Sequence, residues 1–94
     1  MAEGKAKTEV TMKISASCPH HSRADVSVRD VESVIDEPTE RGGTNLGMTP
    51  TETMVAALIG CTNVITHKIV HGYEMTIDCM DIDVEAQFDR RGVT

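Results

Sequence analysis

The chain has 94 residues and a mass of 10.2 kDa, a length that favours a single domain, 1–94. Nine basic and 15 acidic residues leave a net charge of −6 at pH 7. This charge disfavours nucleic acid and anionic membranes as partners, because both require a basic surface. Tyr73 and Phe88 are the only aromatic residues, so the core must be aliphatic and rich in methionine. We therefore expect a partner subunit or a further portion of chain to complete the core.

The N-terminus gives no sign of targeting. No apolar segment follows Met1, and no run approaches the roughly 18–20 apolar residues of a membrane span, so we expect a cytoplasmic protein. Cys18, Cys61 and Cys79 are an odd number of cysteines without a secretory signal, which argues against a disulfide framework. Each is then a buried apolar residue, a ligand or a reactive thiol.

The N-terminal half is predicted to be a series of strands. Apolar and polar residues alternate over 8–16 and again over 24–28, which predicts two half-buried strands. Pro19 and its polar neighbours predict a loop over 17–22 between them. After a turn at Arg29-Asp30, a third and shorter strand is predicted at Val34-Ile35. It ends at Asp36-Glu37-Pro38. Residues 38–48 contain three Gly and one Pro and predict a flexible connection.

A helix from Pro50 to about His71 is the clearest prediction. Thr49 supplies a capping hydroxyl, Pro50 suits the first helical position, and Glu52 completes a capping box. Gly72 is a natural C-terminal stop. The first half of the helix is apolar nearly all round, which indicates that it is covered on more than one side. One stripe, which we call the apolar stripe, contains Met54, Leu58, Cys61, Ile65 and Ile69.

Beyond Gly72, alternation resumes over 75–88, with a change of phase between Cys79 and Met80. This pattern predicts two strand segments separated by a bulge or break. The predicted order is β-β-β-α-β, and the fold class is therefore α+β.

Cys61 is the first candidate for chemistry. In the middle of a helix, on the apolar stripe, it is either a core residue or a thiol that needs activation from elsewhere, because apolar burial opposes the thiolate. Arg23 and Arg41 are the candidate cations for this role. Glu52 is the second candidate. The capping box already explains it, and nine positions of helix place it on the face opposite Cys61.

Two groups of residues have the side chains of metal ligands. Cys18, His20 and His21 form one short cluster that lacks a second Cys/His pair of matching spacing. His67 and His71 are four positions apart on one helical face, and we interpret them as solvated residues near the helix end, with metal binding as the alternative. We therefore expect no metal and no cofactor.

Several segments together resemble a known family. They are Arg-Ala-Asp-Val-Ser-Val-Arg-Asp from Arg23, Gly-Gly-Thr-Asn-Leu-Gly-Met before the helix, and above all Thr49-Pro50-x-Glu52 followed by Ala-Ala-Leu-x-Gly-Cys at 56–61. The pattern resembles the OsmC-like superfamily, which includes osmotically inducible protein C and the organic hydroperoxide resistance proteins. The resemblance extends to about Phe88.

The resemblance implies a twisted antiparallel sheet with long central helices, built as an intertwined homodimer. It also implies that Cys61 corresponds to the peroxidatic thiol of members that reduce organic hydroperoxides in oxidative stress defence. Arg23 would correspond to the catalytic arginine, and Glu52 lies next to the position of the catalytic glutamate.

The chain departs from the peroxidase members at two points. Thr51 stands where they carry the catalytic Glu directly after Pro, so Glu52 matches the following position. Their resolving cysteine belongs to a later helix, beyond Thr94, and neither Cys18 nor Cys79 occupies that position. We therefore expect the resemblance to cover only the N-terminal two-thirds of the family's domain.

These observations leave two functions open. The first is a cytoplasmic homodimer that acts as a thiol-dependent organic hydroperoxide reductase through Cys61. The alternative is a non-catalytic OsmC-like dimer that binds a small apolar ligand or serves as a structural subunit.

Overall fold

The computed structural model describes residues 8–89 and 91, and the chain divides into two compact units, 1–50 and 51–94. The first unit contains an antiparallel three-stranded sheet, and the second contains one long helix. The fold class is therefore α+β, as the sequence predicted. The elements are β1 (Ile14–His20), β2 (Arg23–Val28), β3 (Val31–Ile35), a short 3-10 helix (Thr39–Arg41) and α1 (Pro50–Gly72).

The sheet has the order β1-β2-β3 and is built from two hairpins. His20 pairs with Arg23 across the first turn, and Val28 pairs with Val31 across the second. The turn predicted at Arg29-Asp30 is confirmed. Arg29 has a φ of 54°, a left-handed conformation that a two-residue hairpin turn requires at its first central position.

The bounds of β1 differ from the prediction. The strand begins at Ile14 rather than Thr8 because Ile14 pairs with Val28, the last residue of β2, so the residues before it have no neighbouring strand. The loop predicted over 17–22 is also wrong, since β1 continues through Pro19 to His20. The register shifts between Ser17 and His20, and such a bulge on an edge strand accommodates a proline that has no N–H to donate.

The sheet has one polar and one apolar face. Two cross-strand rows, Ser15–Ser27–Glu32 and Ser17–Asp25–Val34, share the polar face because alternate residues of a strand point to opposite sides. Ile14, Val28 and Val31 form a row of the other face. No hydrophobic residue in the described part of the chain is buried. The described part of the chain therefore forms no buried hydrophobic core of its own.

Residues 36–48, which we call the Asp36 loop, include the connection predicted over 38–48, and hydrogen bonds organise their backbone. The backbone N–H of Asp36 donates to Met48 O at 2.9 Å, and that of Asn45 donates to Glu37 O at 2.9 Å. Ile35 and Met48 form an isolated parallel bridge. The loop therefore leaves and rejoins the end of β3 with its backbone hydrogen bonds largely made within itself.

Helix α1 begins at Pro50, as predicted, and ends one residue later than predicted, at Gly72. The stop is not Gly72 itself, since Glu74 adopts the left-handed conformation with a φ of 59°. Glu74 N–H donates to His71 O at 2.9 Å, and Met75 N–H donates to Val70 O at 3.1 Å. These are the two hydrogen bonds of a Schellman motif, which satisfies carbonyl groups at the helix end.

The strand segments predicted over 75–88 are wrong. Residues 75–89 form neither helix nor strand, although their apolar and polar residues alternate. A strand needs a neighbour to pair its backbone N–H and C=O groups. The described part of this unit offers only α1, whose backbone groups are already paired within the helix.

The composition of α1 meets the requirements for a membrane span more closely than we expected from the sequence. Its 23 residues include a window of mean hydropathy 1.4, and none of that window is buried within the chain. The similarity to a membrane span is one of length and composition alone. The central helix of a soluble domain can have the same length and hydropathy.

Candidate functional site

Cys61 lies in the middle of α1 with its side chain exposed. The neighbouring members of the apolar stripe are exposed too, with 74% of Met54 and 62% of Leu58 accessible to solvent. The thiol is therefore open to a small oxidant in the isolated chain. It would lie inside any interface that covers the stripe.

Glu52 and Cys61 do not form a common site along the helix. Both belong to the continuous helix α1, where a separation of nine residues corresponds to about 2.5 turns and about 13 Å along the axis. Their side chains therefore leave opposite faces. Glu52 lies in the first turn, where a carboxylate interacts favourably with the helix dipole.

Arg23, the third predicted residue, begins β2 in the first unit and forms a forked pair with Asp25. Arg23 Nε donates to Asp25 Oδ1 at 2.8 Å, and Nη2 donates to Oδ2 at 3.0 Å. The two residues are two positions apart on one strand and share a face. The hydrogen bond to Asp25 is the main cause that raises the pKa of Arg23 above its ordinary value. Three of the five N–H groups of the guanidinium are not used by this pair.

A concavity of about 510 Å³ lies over the polar face of the sheet. Its lining includes Arg23, Asp25 and Glu32 together with Ser15 and Ser17 of β1 and Ser27 of β2. Ala16, Val26, Ser33 and Val34 complete the lining, so the surface is polar and apolar in about equal parts.

The most highly organised group in the structure is one that the sequence analysis did not single out. Asp36, at the start of the Asp36 loop, is completely buried. Its carboxylate accepts hydrogen bonds from Ser22 Oγ at 2.9 Å, Glu37 N at 2.7 Å and Leu46 N at 3.2 Å. It also accepts from both the hydroxyl and the backbone N–H of Thr44, the latter at 3.3 Å.

These donors favour the ionised form of Asp36. They hold the pKa of Asp36 well below its ordinary value of 3.8; the Thr44 hydroxyl contributes most, and desolvation opposes the shift. A carboxylate that accepts several N–H and O–H bonds remains charged when buried because the donors replace its water shell. Since every donor belongs to the loop or to the first hairpin turn, Asp36 is a structural residue that joins the two.

Ser22 extends this group to the first hairpin turn. Its hydroxyl donates to Asp36, so the 2.9 Å contact between Ser22 Oγ and His20 Nδ1 requires that nitrogen to carry a proton. The backbone N of Ser22 also lies 3.3 Å from His20 Nδ1. Its N–H can donate there only in the other tautomer, in which Nδ1 carries no proton. The His20 and His21 rings lie against each other with their centroids 4.1 Å apart.

In the described part of the chain, the side chains of metal-ligand type do not gather into a centre of three or more ligands. Among residues 8–89 and 91, no group of three or more His, Cys, Asp or Glu side chains is arranged to hold a metal ion. Cys18, His20 and His21 are therefore neighbours along the chain without forming a three-ligand cluster.

No protein-family model matches the chain, and comparison with curated proteins and with solved structures gives no match either.

Proposed function

We propose that the chain is an OsmC-like protein that self-associates through α1 and reduces organic hydroperoxides with the thiol of Cys61. The observation that carries the proposal is the position of Cys61, an exposed thiol at the centre of an exposed apolar stripe. Association of two copies along the stripe would bury the apolar side chains and place the thiol at the interface. The spacing of Thr49, Pro50, Glu52 and Cys61 supports the same function through the family resemblance.

The proposed reaction has two stages. The Cys61 thiolate attacks the peroxide, forming an S–O bond as the O–O bond breaks, and the alkoxide leaves and takes up a proton to give the alcohol. The sulfur is oxidised to a sulfenic acid and the peroxide is reduced by the same two electrons. A thiol of an added dithiol then attacks the sulfenic sulfur and releases water. Its second thiol displaces Cys61 from the resulting disulfide.

Hydroperoxide reduction tests this proposal directly. Purified chain with cumene hydroperoxide and a dithiol is expected to consume the peroxide, and Cys61→Ser is expected to reduce the rate to that of the dithiol alone, because the serine hydroxyl is not ionised at neutral pH. Trapping with dimedone should label Cys61 in the wild type. Cys79→Ser is the matched control and should retain activity. Equal rates for wild type and Cys61→Ser would remove the catalytic proposal.

Self-association has its own test. Burying the four large members of the apolar stripe stabilises a complex by about 1.5–3 kcal/mol each, so the wild type is expected to sediment as a dimer. Leu58→Glu should weaken association by at least about 30-fold, because it places a charge in the interface. Asn63→Glu adds the same charge on the opposite face and should leave the dimer intact. A monomer that remains soluble would contradict the proposal, and partition of the wild type into lipid vesicles would assign the stripe to a membrane.

The exposed apolar stripe also supports a second candidate function, a dimer that binds a small apolar ligand or acts as a structural subunit. Thr51 at the position of the family's catalytic Glu favours this candidate. An intact dimer that consumes no hydroperoxide, with no sulfenic acid at Cys61, would select it over the enzyme.

A further inference from the structure

The C-terminal end of α1 carries two histidines on one face. His67 and His71 are separated by four residues, one helical turn, and both are exposed. Side chains at this spacing are neighbours on a helix surface. We refer to these two residues as the histidine pair.

A hydrogen bond fixes the tautomer of His67. His67 Nδ1 lies 2.9 Å from the backbone O of Asn63. A carbonyl oxygen only accepts, so Nδ1 must carry the proton, and in the neutral ring Nε2 then has a free lone pair. Histidines that bind metals commonly donate their other ring N–H to a backbone carbonyl in this way, which fixes the tautomer.

The helix dipole favours a cation at the histidine pair, while Lys68, three positions before His71, adds a neighbouring positive charge. His71 lies in the last turn of a 23-residue helix, where the helix dipole is negative. At 100° per residue, the pair lies roughly opposite the apolar stripe, so association through the stripe would leave it accessible.

We propose that the histidine pair is a two-point binding site for a borderline divalent transition-metal ion such as Ni²⁺, Cu²⁺ or Zn²⁺. Two imidazole nitrogens one helical turn apart are a known donor arrangement for these ions, and water completes the coordination. The proposal concerns α1 alone, and it stands whether or not Cys61 reduces hydroperoxides.

The experiment is a calorimetric titration of the untagged chain with NiCl₂ after alkylation of its three cysteines, which removes the competing thiol ligands. One Ni²⁺ per chain is expected. His71→Ala should weaken binding by about 100-fold, because the second nitrogen acts at a high effective concentration once the first is bound. Ni²⁺ should also broaden the NMR signals of His67 and His71 but not those of His20 and His21.

Two variants control for composition. Thr66→His combined with His67→Thr keeps four histidines but changes the spacing from four to five residues, and should lose the same affinity as His71→Ala. Circular dichroism checks that its helix is intact. His20→Ala combined with His21→Ala should bind as the wild type does. Equal binding by the changed-spacing variant, loss of binding in the His20/His21 variant, or no binding by the wild type would each overturn the proposal.

Discussion

Asp36→Asn is expected to open the Asp36 loop and to lower the midpoint of thermal unfolding of the first unit by on the order of 10 °C. An amide has the shape of a carboxylate but replaces one acceptor oxygen with an NH₂ group. That group would face donors, whichever way the amide is turned, because Ser22, Glu37, Thr44 and Leu46 all donate to Asp36. Buried donors left without an acceptor destabilise a fold strongly.

Amide hydrogen exchange gives the local measurement. The N–H groups of Thr44 and Leu46 should lose their protection in Asp36→Asn, while those in the middle of α1 keep theirs. Asp30→Asn makes the same chemical change in the exposed second hairpin turn and should leave both regions unchanged. Retained protection at Thr44 and Leu46 in Asp36→Asn would show that the carboxylate does not hold the loop.

The same residue predicts a dependence on pH. Because the pKa of Asp36 is lower in the folded chain than its ordinary value of 3.8, its stabilising contribution is fully present above about pH 4 to 5. It is lost as the pH falls below the ordinary value towards the folded one. Unfolding of the first unit should therefore become easier in acid below about pH 4 in the wild type. This acid-dependent step should be reduced in Asp36→Asn, which has no carboxyl group to protonate at this position.

Gly47→Ala is expected to destabilise the first unit by about 3 kcal/mol, a cost at the upper end of those for overpacking. A Cβ at Gly47 would lie 2.0 Å from Val34 O and 2.6 Å from Val34 C, and a backbone group of β3 has little freedom to move away. Gly43 is similarly close to the backbone of Glu37. Glycine is therefore required at these two positions of the loop because the chain passes so close to itself.

Gly60→Ala is the matched comparison and should have the opposite sign. A Cβ at Gly60 would have no atom within 4 Å, and alanine favours a helix interior by about 1 kcal/mol over glycine. Chemical denaturation followed by circular dichroism, with exchange at Leu46 for the first unit, measures both variants. Equal effects of the two substitutions would mean that the close approach at Gly47 does not determine stability.

The sequence predicted α1 closely because its signals are local: Pro50 at the first position, Thr49 before it and a long apolar pattern. The strands were predicted less well because their bounds depend on partners. The residues from Thr8 to Lys13 have the alternation of a strand, but β2 ends at Val28 and leaves them unpaired. The alternating segment after Gly72 likewise has the pattern of a strand and no neighbour in the described part of the chain.

The sequence alone could identify only some of the residues discussed for the candidate site. Arg23, Glu52 and Cys61 were identified by type and resemblance, but the structure places Arg23 in the first unit, where it is paired with Asp25, and the other two on opposite faces of α1. The Asp36 group was missed because its donors come from Ser22, 14 positions away, and from a loop whose glycines suggested mobility. An Asp at a strand end followed by a Gly- and Thr-containing loop is the available signal, since such residues commonly bond to nearby backbone N–H groups.

The bulge at Pro19 affects the exposed edge of the sheet. β1 and β3 are its two edge strands, and exposed edges are templates for pairing with other chains. Pro19 and the register shift interrupt the edge of β1 near its C-terminal end, and the bridge to Met48 occupies the last residue of β3. Each edge thus offers only a short run of backbone groups, which limits the extension of the sheet into aggregates while its apolar face remains open.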